Sequence, residues 1–162
     1  MILGMSLATF TMVHVIISLI AIVAGLIVMF GMLGSKRMPG LTAIFLAFTI
    51  LTSASGFLFS PLLFEKLSPG HVIGILSLVL LAIACFALYG MKLAGAWRWI
   101  YALTALVSLY LNVFVLVIQS FLKLPALRTL APSSIVQVVV LAFFVVVIIG
   151  VIRRYRPTPT YA

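Results

Sequence analysis

Residues 9–33 read TFTMVHVIISLIAIVAGLIVMFGML, and residues 34–40 follow as GSKRMPG. Twenty-five consecutive positions carry no Asp, Glu, Lys or Arg before a basic pair and a Pro-Gly pair arrive together. A helix crosses about 30 Å of hydrocarbon in roughly 20 residues, so this stretch is long enough to span a bilayer. The Pro-Gly pair then ends one helix and starts the next, because proline lacks the amide donor and glycine permits the turn.

The same unit recurs along the chain. Further uncharged runs lie at about 41–63, 71–91, 98–122 and 133–152, separated by the breaker segments 65–70 (EKLSPG), 92–97 (KLAGAW) and 123–132 (KLPALRTLAP). These runs are too long for barrel strands and lack their alternation. The reading is a single all-α membrane domain of five transmembrane helices. Composition agrees: 66% of the 162 residues are hydrophobic and 7% charged, against about 25% charged in soluble domains. A water-soluble fold is excluded, and so is a disordered chain, whose signature is low hydrophobicity.

Ten Lys or Arg face one acid, a net charge of +9. Lys36, Arg37, Lys92, Arg98, Arg153, Arg154 and Arg156 flank one side of the five-span path. Lys66, Lys123, Arg128 and the acid, Glu65, flank the other. Basic residues are retained in the cytoplasm, which predicts an outer N-terminus and a cytoplasmic C-terminus. The charge is therefore topology, with attraction to anionic headgroups as its by-product. No soluble basic domain exists to bind nucleic acid. No basic residue precedes Lys36, so the first run reads as a retained span. Cys85 lies within the third span, where a thiolate is disfavoured.

In lipid, small and polar residues mark the faces that helices turn to each other. Projection at about 100° per residue aligns His14, Ser18, Ala21 and Gly25 on the first span. It aligns Thr42, Thr49, Ser53, Gly56 and Ser60 on the second, and Leu78, Ala82, Cys85 and Tyr89 beneath His71 on the third. Tyr101, Ser108, Asn112 and Gln119 share a face of the fourth. The fifth has only Gln137 in a Val-rich run, so the expected architecture is a four-helix bundle plus one peripheral helix.

At about 1.5 Å per residue from the cytoplasmic basic residues, His14, His71, Gln119 and Ser60 reach one level near the outer hydrocarbon boundary. Gln137 sits slightly deeper, and Glu65 follows in the adjoining loop. Two histidines at one depth suit the axial ligands of haem b, a metal, or hydrogen bonds to a quinone headgroup. The plainer reading is polar groups placed where water begins. Two His without Cys or Asp are too few for a closed metal site. Asn112 is nearer mid-membrane and needs a partner there. Ser53 and Thr49 lie at compatible depth for an interhelical polar contact; a gate or solute contact is the functional alternative. Lys92, Trp97, Arg98 and Trp99 form a cytoplasmic interfacial belt. The loop from Lys123 to Pro132 is expected to lie along the outer surface as a lid or a connector.

The runs His71-Val72-Ile73-Gly74-Ile75-Leu76-Ser77-Leu78 and Ala94-Gly95-Ala96-Trp97-Arg98-Trp99-Ile100-Tyr101 carry a resemblance, as does Leu109 to Gln119 with Lys123-Leu124-Pro125-Ala126-Leu127. Together they resemble a family of small uncharacterised bacterial multi-pass inner-membrane proteins. The resemblance implies a bacterial cytoplasmic membrane and transfers no site residue. The chain carries no paired carboxylates, nucleophile–base pair or phosphate loop. The expectation is a non-enzymatic accessory, interaction or lipid-contacting unit, alone, as a homo-oligomer or with a membrane-protein partner. A haem-, quinone- or metal-binding redox protein and a small oligomeric channel or exporter are the alternatives.

Overall fold

Each helix begins and ends where local chemistry says it should. The computed structural model describes residues 2–59, 68–130 and 132–157, and the backbone alone at Arg128 and Leu130. Helix α1 (Leu7–Leu33) starts at Ser6, whose hydroxyl accepts from the Thr9 amide at 3.1 Å and satisfies one unpaired N–H of the first turn. It ends at Gly34, and Ser35 then turns the chain at φ 55°. Helix α2 (Pro39–Gly56) has proline in its first turn, where no amide is needed, and tightens into a 3-10 turn at Phe57–Phe59. Helix α3 (Pro69–Cys85) is capped by Ser68 and runs on into a π turn at Phe86–Gly90. Helix α4 (Trp97–Lys123) stops before Pro125, which opens the short α5 (Pro125–Leu130). Pro132 precedes α6 (Ser133–Arg154).

Five of these helical units are long and apolar enough to cross a membrane, the α2 and α3 units including their 3-10 and π turns. Their limits fall within a few residues of the expected spans. Helix α1 packs on α2, α2 on α3, α3 on α4, and α4 returns to α1; α6 lies against α4 and α1. Helix α4 supplies the largest share of the core, through Tyr101, Ala102, Ala105, Leu106 and Leu109. Phe45, Met29, Leu81 and Val151 meet it from α2, α1, α3 and α6. The outer surface is apolar as well: Val146, Val138 and Ile16 stand exposed. In water such a surface would aggregate; in lipid it is the solvent-matched face. Only 17% of the α6 span is buried, against 44% of α1, so α6 meets the surroundings over most of its girth.

The third span departs from its projected face. Its buried positions are His71, Ser77, Leu81 and Ala84, while Ala82 and Tyr89 are exposed and Leu78 and Cys85 only partly covered. The face that includes His71 is rotated by about one residue, because Ser77 and Ala84 let α3 approach α2 and α4 where Leu78 would not. Ala87, within the π turn, continues this face into the core at the next i+3 position. Beyond it Lys92 and Leu93 both take left-handed backbone conformations, at φ 50° and 61°. Burial of Leu93 in the core and its amide bond to the Ala87 carbonyl at 3.0 Å offset that strain.

Lys36, Arg37, Lys92, Arg98 and Arg153 to Arg156 gather at one end of the bundle. The Ser35 hydroxyl donates to the Arg154 carbonyl at 2.5 Å and accepts from the Arg156 amide at 3.1 Å, joining the first loop to the end of α6. Tyr155 is buried there with its ring 6.4 Å from that of Tyr101. Burial pushes the Tyr155 phenol up, with nearby Arg37 pulling it down.

Candidate functional site

At the end of the bundle opposite this basic cluster, α1, α2, α3 and α4 diverge around a partly open cavity of about 510 Å³. Its size lies within the roughly 300–1,000 Å³ usual for ligand pockets. His14, His71, Gln119, Ser53 and Asn112 all line it. Three members of the sequence-expected layer, His14, His71 and Gln119, thus share one concave surface with the deeper Asn112. Ser60 and Glu65 lie outside the described residues, as do Lys66 and the Arg128 side chain. Gln137 belongs elsewhere: its amide donates to the Phe114 carbonyl at 3.1 Å, in a groove between α4 and α6.

The hydrogen bonds fix each imidazole. His71 is the third residue of α3 and closes a capping box with Ser68. Its Nδ1 accepts from the Ser68 amide at 3.2 Å and lies 3.0 Å from the Ser68 hydroxyl oxygen. A nitrogen that accepts from a backbone N–H carries no hydrogen, so neutral His71 holds its hydrogen on Nε2. Phe57 lies nearly parallel to the ring, centroids 5.7 Å apart and planes 13° apart.

His14 is held differently. Its Nδ1 is 2.7 Å from the Ser55 hydroxyl oxygen, which also lies 3.2 Å from the Thr52 carbonyl. The one Ser55 hydrogen can serve either acceptor, so this contact fits both tautomers of His14. Phe59 meets the ring edge-on at 5.1 Å. His71 therefore holds Nε2–H as a donor, and His14 Nε2 donates or accepts according to where Ser55 turns its hydrogen.

The expected bond from Asn112 to Ser53 and Thr49 is not made. Ser53 donates across to Ser77 at 3.1 Å, and Thr49 donates back to the Phe45 carbonyl of its own helix at 2.7 Å. Hydroxyls in apolar helices satisfy themselves this way, which removes them as partners for a neighbour. Asn112 Nδ2 is buried with no hydrogen-bond partner. Asn112 lines the cavity, but this nitrogen is buried behind the cavity surface, and an orphaned buried amide needs explanation.

Ser68, Ser55, Phe57, Phe59 and Lys123 were not singled out from the sequence. The Ser68-Pro69-Gly70-His71 run carried the signal for one of them, a capping serine three residues before a polar side chain. Lys123, ending α4, lines the cavity. Among the described residues no group of three His, Cys, Asp or Glu is placed to hold a metal ion. At the basic end, Trp97 packs edge-on against Phe86 at 5.3 Å, Lys92 and Trp99 are exposed, and Arg98 Nε is buried without a partner. The loop after Lys123 forms α5, which packs on α4.

Fold and cavity together define an all-helical polytopic membrane protein. No protein-family model, curated protein or solved structure matches the chain.

Proposed function

We propose that the chain is a non-enzymatic, ligand-holding unit of a bacterial cytoplasmic membrane, whose cavity takes the polar head of a small amphipathic molecule. The carrying observation is one cavity lined by both imidazoles together with Gln119, Ser53 and Asn112. The walls are otherwise apolar, contributed by residues such as Leu7, Val15, Ile73 and Leu111. That combination, an apolar body with a few converging polar groups, is the general form of a small-molecule site.

In this reading α1 to α4 are a four-helix bundle and α6 an added helix. The N-terminus is outside, so that the seven cations of the basic end face the cytoplasm and its anionic headgroups. The cavity then opens in the outer leaflet. A fluorescent-protein fusion after Ala162 is expected to fluoresce in cells, and alkaline phosphatase at the same position to be inactive. The reverse pattern would invert the path.

Haem is the weaker alternative. Ligation through Nε2 of His71 requires its hydrogen to move to Nδ1, which breaks the bond from the Ser68 amide and so half of the α3 capping box. The test is one preparation read twice. Protein purified into lipid nanodiscs is expected to release a stoichiometric amphipathic compound on organic extraction, and to show no Soret band. A Soret band with axial imidazole would replace the proposed ligand by haem. An extract matching that of empty nanodiscs would refute ligand holding.

A further inference from the structure

We infer that the cavity holds the oxyanion head, carboxylate or phosphate, of a membrane lipid that enters between α1 and α4. This rests on the ligand-holding reading above and names the ligand's charge. The lining supplies a cation and donors together. Lys123 brings an ammonium, whose charge reaches the His14 imidazole. His71 is 4% exposed, and with Nδ1 taken by the Ser68 amide its Nε2–H has no acceptor among the described residues. Gly70, just after Pro69, offers the first amide of α3, which has no intrahelical acceptor. Among the described residues no carboxylate lines the cavity; Glu65, the chain's one acid, lies outside them. A buried imidazole donor, a helix-start amide and an ammonium in one apolar pocket suit an oxygen-bearing anion.

The shape of the bundle favours a lipid over a free anion. The buried residues of α4 end at Leu109, where Leu109 and Phe45 close on Gly25, so the cavity is a cup shut toward the basic end. Its α1–α2 wall is bridged by the 2.7 Å contact of His14 with Ser55 and by Phe10 against Phe59 at 4.9 Å. Its α2–α3 wall is bridged by Ser53 with Ser77 and by Phe57 on His71. Helix α3 packs on α4 in turn. On α1 and α4, by contrast, the lining residues Leu7, Val15, Gln119 and Lys123 are exposed. An alkyl chain leaving through that seam passes over Leu7 and Val15 into the surrounding hydrocarbon and needs no further pocket.

Binding is measured on the full chain in phosphatidylcholine nanodiscs with oleate, oleoyl lysophosphatidate and uncharged monoolein, which share a chain and differ in head. Inorganic phosphate is the free anion. At least one anionic lipid is expected to bind about tenfold more tightly than monoolein, and Lys123→Gln to remove most of that preference. His71→Phe is expected to lower it as well, and a thermal melt reports whether that variant folds. A preference that neither variant moves overturns the inference. Were Glu65 the partner of Lys123, Lys123→Gln would weaken binding only by freeing a repelling carboxylate. The double variant Lys123→Gln, Glu65→Gln is therefore expected to bind as weakly as the single one, and native affinity in the double variant overturns the inference. Lys92→Gln, at the basic end, is expected to change nothing; a loss there equal to that of Lys123→Gln overturns it too. So does inorganic phosphate bound as tightly as either lipid. Monoolein bound as tightly as both anions overturns the anionic head and leaves ligand holding intact. Failure to bind any probe, with no compound in the nanodisc extract, overturns both.

Discussion

Replacing Gly25 with alanine is expected to destabilise the detergent-solubilised protein by about 1–3 kcal/mol, the usual cost of an extra methyl in a filled core. A Cβ at Gly25 would lie 2.6 Å from Leu109 Cδ1 and 2.8 Å from a Phe45 ring carbon. Both neighbours are fully buried, so neither has space to retreat into. Alanine's helix propensity returns about 1 kcal/mol at most, which reduces the loss without reversing it. Gly25 is where α1 comes closest to α2 and α4 together; a larger residue would separate all three. Gly40→Ala is the control, because nothing lies within 4 Å of a Cβ there. Thermal melts followed by fluorescence-detected size exclusion compare the two. Equal stability of the variants would show that the three-helix junction is looser than described.

Asn112→Leu is expected to move stability and binding in opposite directions. Leucine has the same count and branching of side-chain heavy atoms as asparagine and brings no donor. Removing an unsatisfied buried amide therefore stabilises the ligand-free protein, by about 1–3 kcal/mol. The same change removes a polar side chain from the cavity lining and is expected to weaken ligand retention about tenfold or more. The melt is taken on protein stripped of ligand, since a bound ligand raises native stability by mass action. A structural role for Asn112 makes the contrary prediction of lower stability with binding unchanged. Parallel loss of both would mean that the amide has a partner in the membrane-embedded protein.

Much of the fold was legible because its determinants are local or one-dimensional. Uncharged runs and Pro-Gly breaks located the five long helices to within a few residues. Depth counting from Lys36, Lys92 and Arg98 brought His14, His71 and Gln119 to one level, and the structure gathers them around one cavity. What escaped was decided by packing. The exposed Tyr89 and buried Ala84 follow from a rotation of α3 that period counting cannot supply when nearly every residue on the helix after His71 is apolar or small. The π turn at Phe86–Gly90 has no composition signal. The pairing of Asn112 with Ser53 was compatible in depth, but Ser53 reaches Ser77 instead. Depth says which residues share a layer, and only side-chain geometry says which of them bond. The hydrogen position on His71 belongs to that second kind of information. It depends on Ser68, which by depth and composition alone is an ordinary helix-end serine.

The Ser35 hydroxyl, held between the Arg154 carbonyl and the Arg156 amide, also has a meaning in time. The loop that carries it leaves the ribosome 119 and 121 residues ahead of its partners. Helices α1 to α4 can associate as they are inserted, but this fastening of the end of α1 waits until α6 has been made. The contact thus closes the five-helix arrangement in time as well as in space.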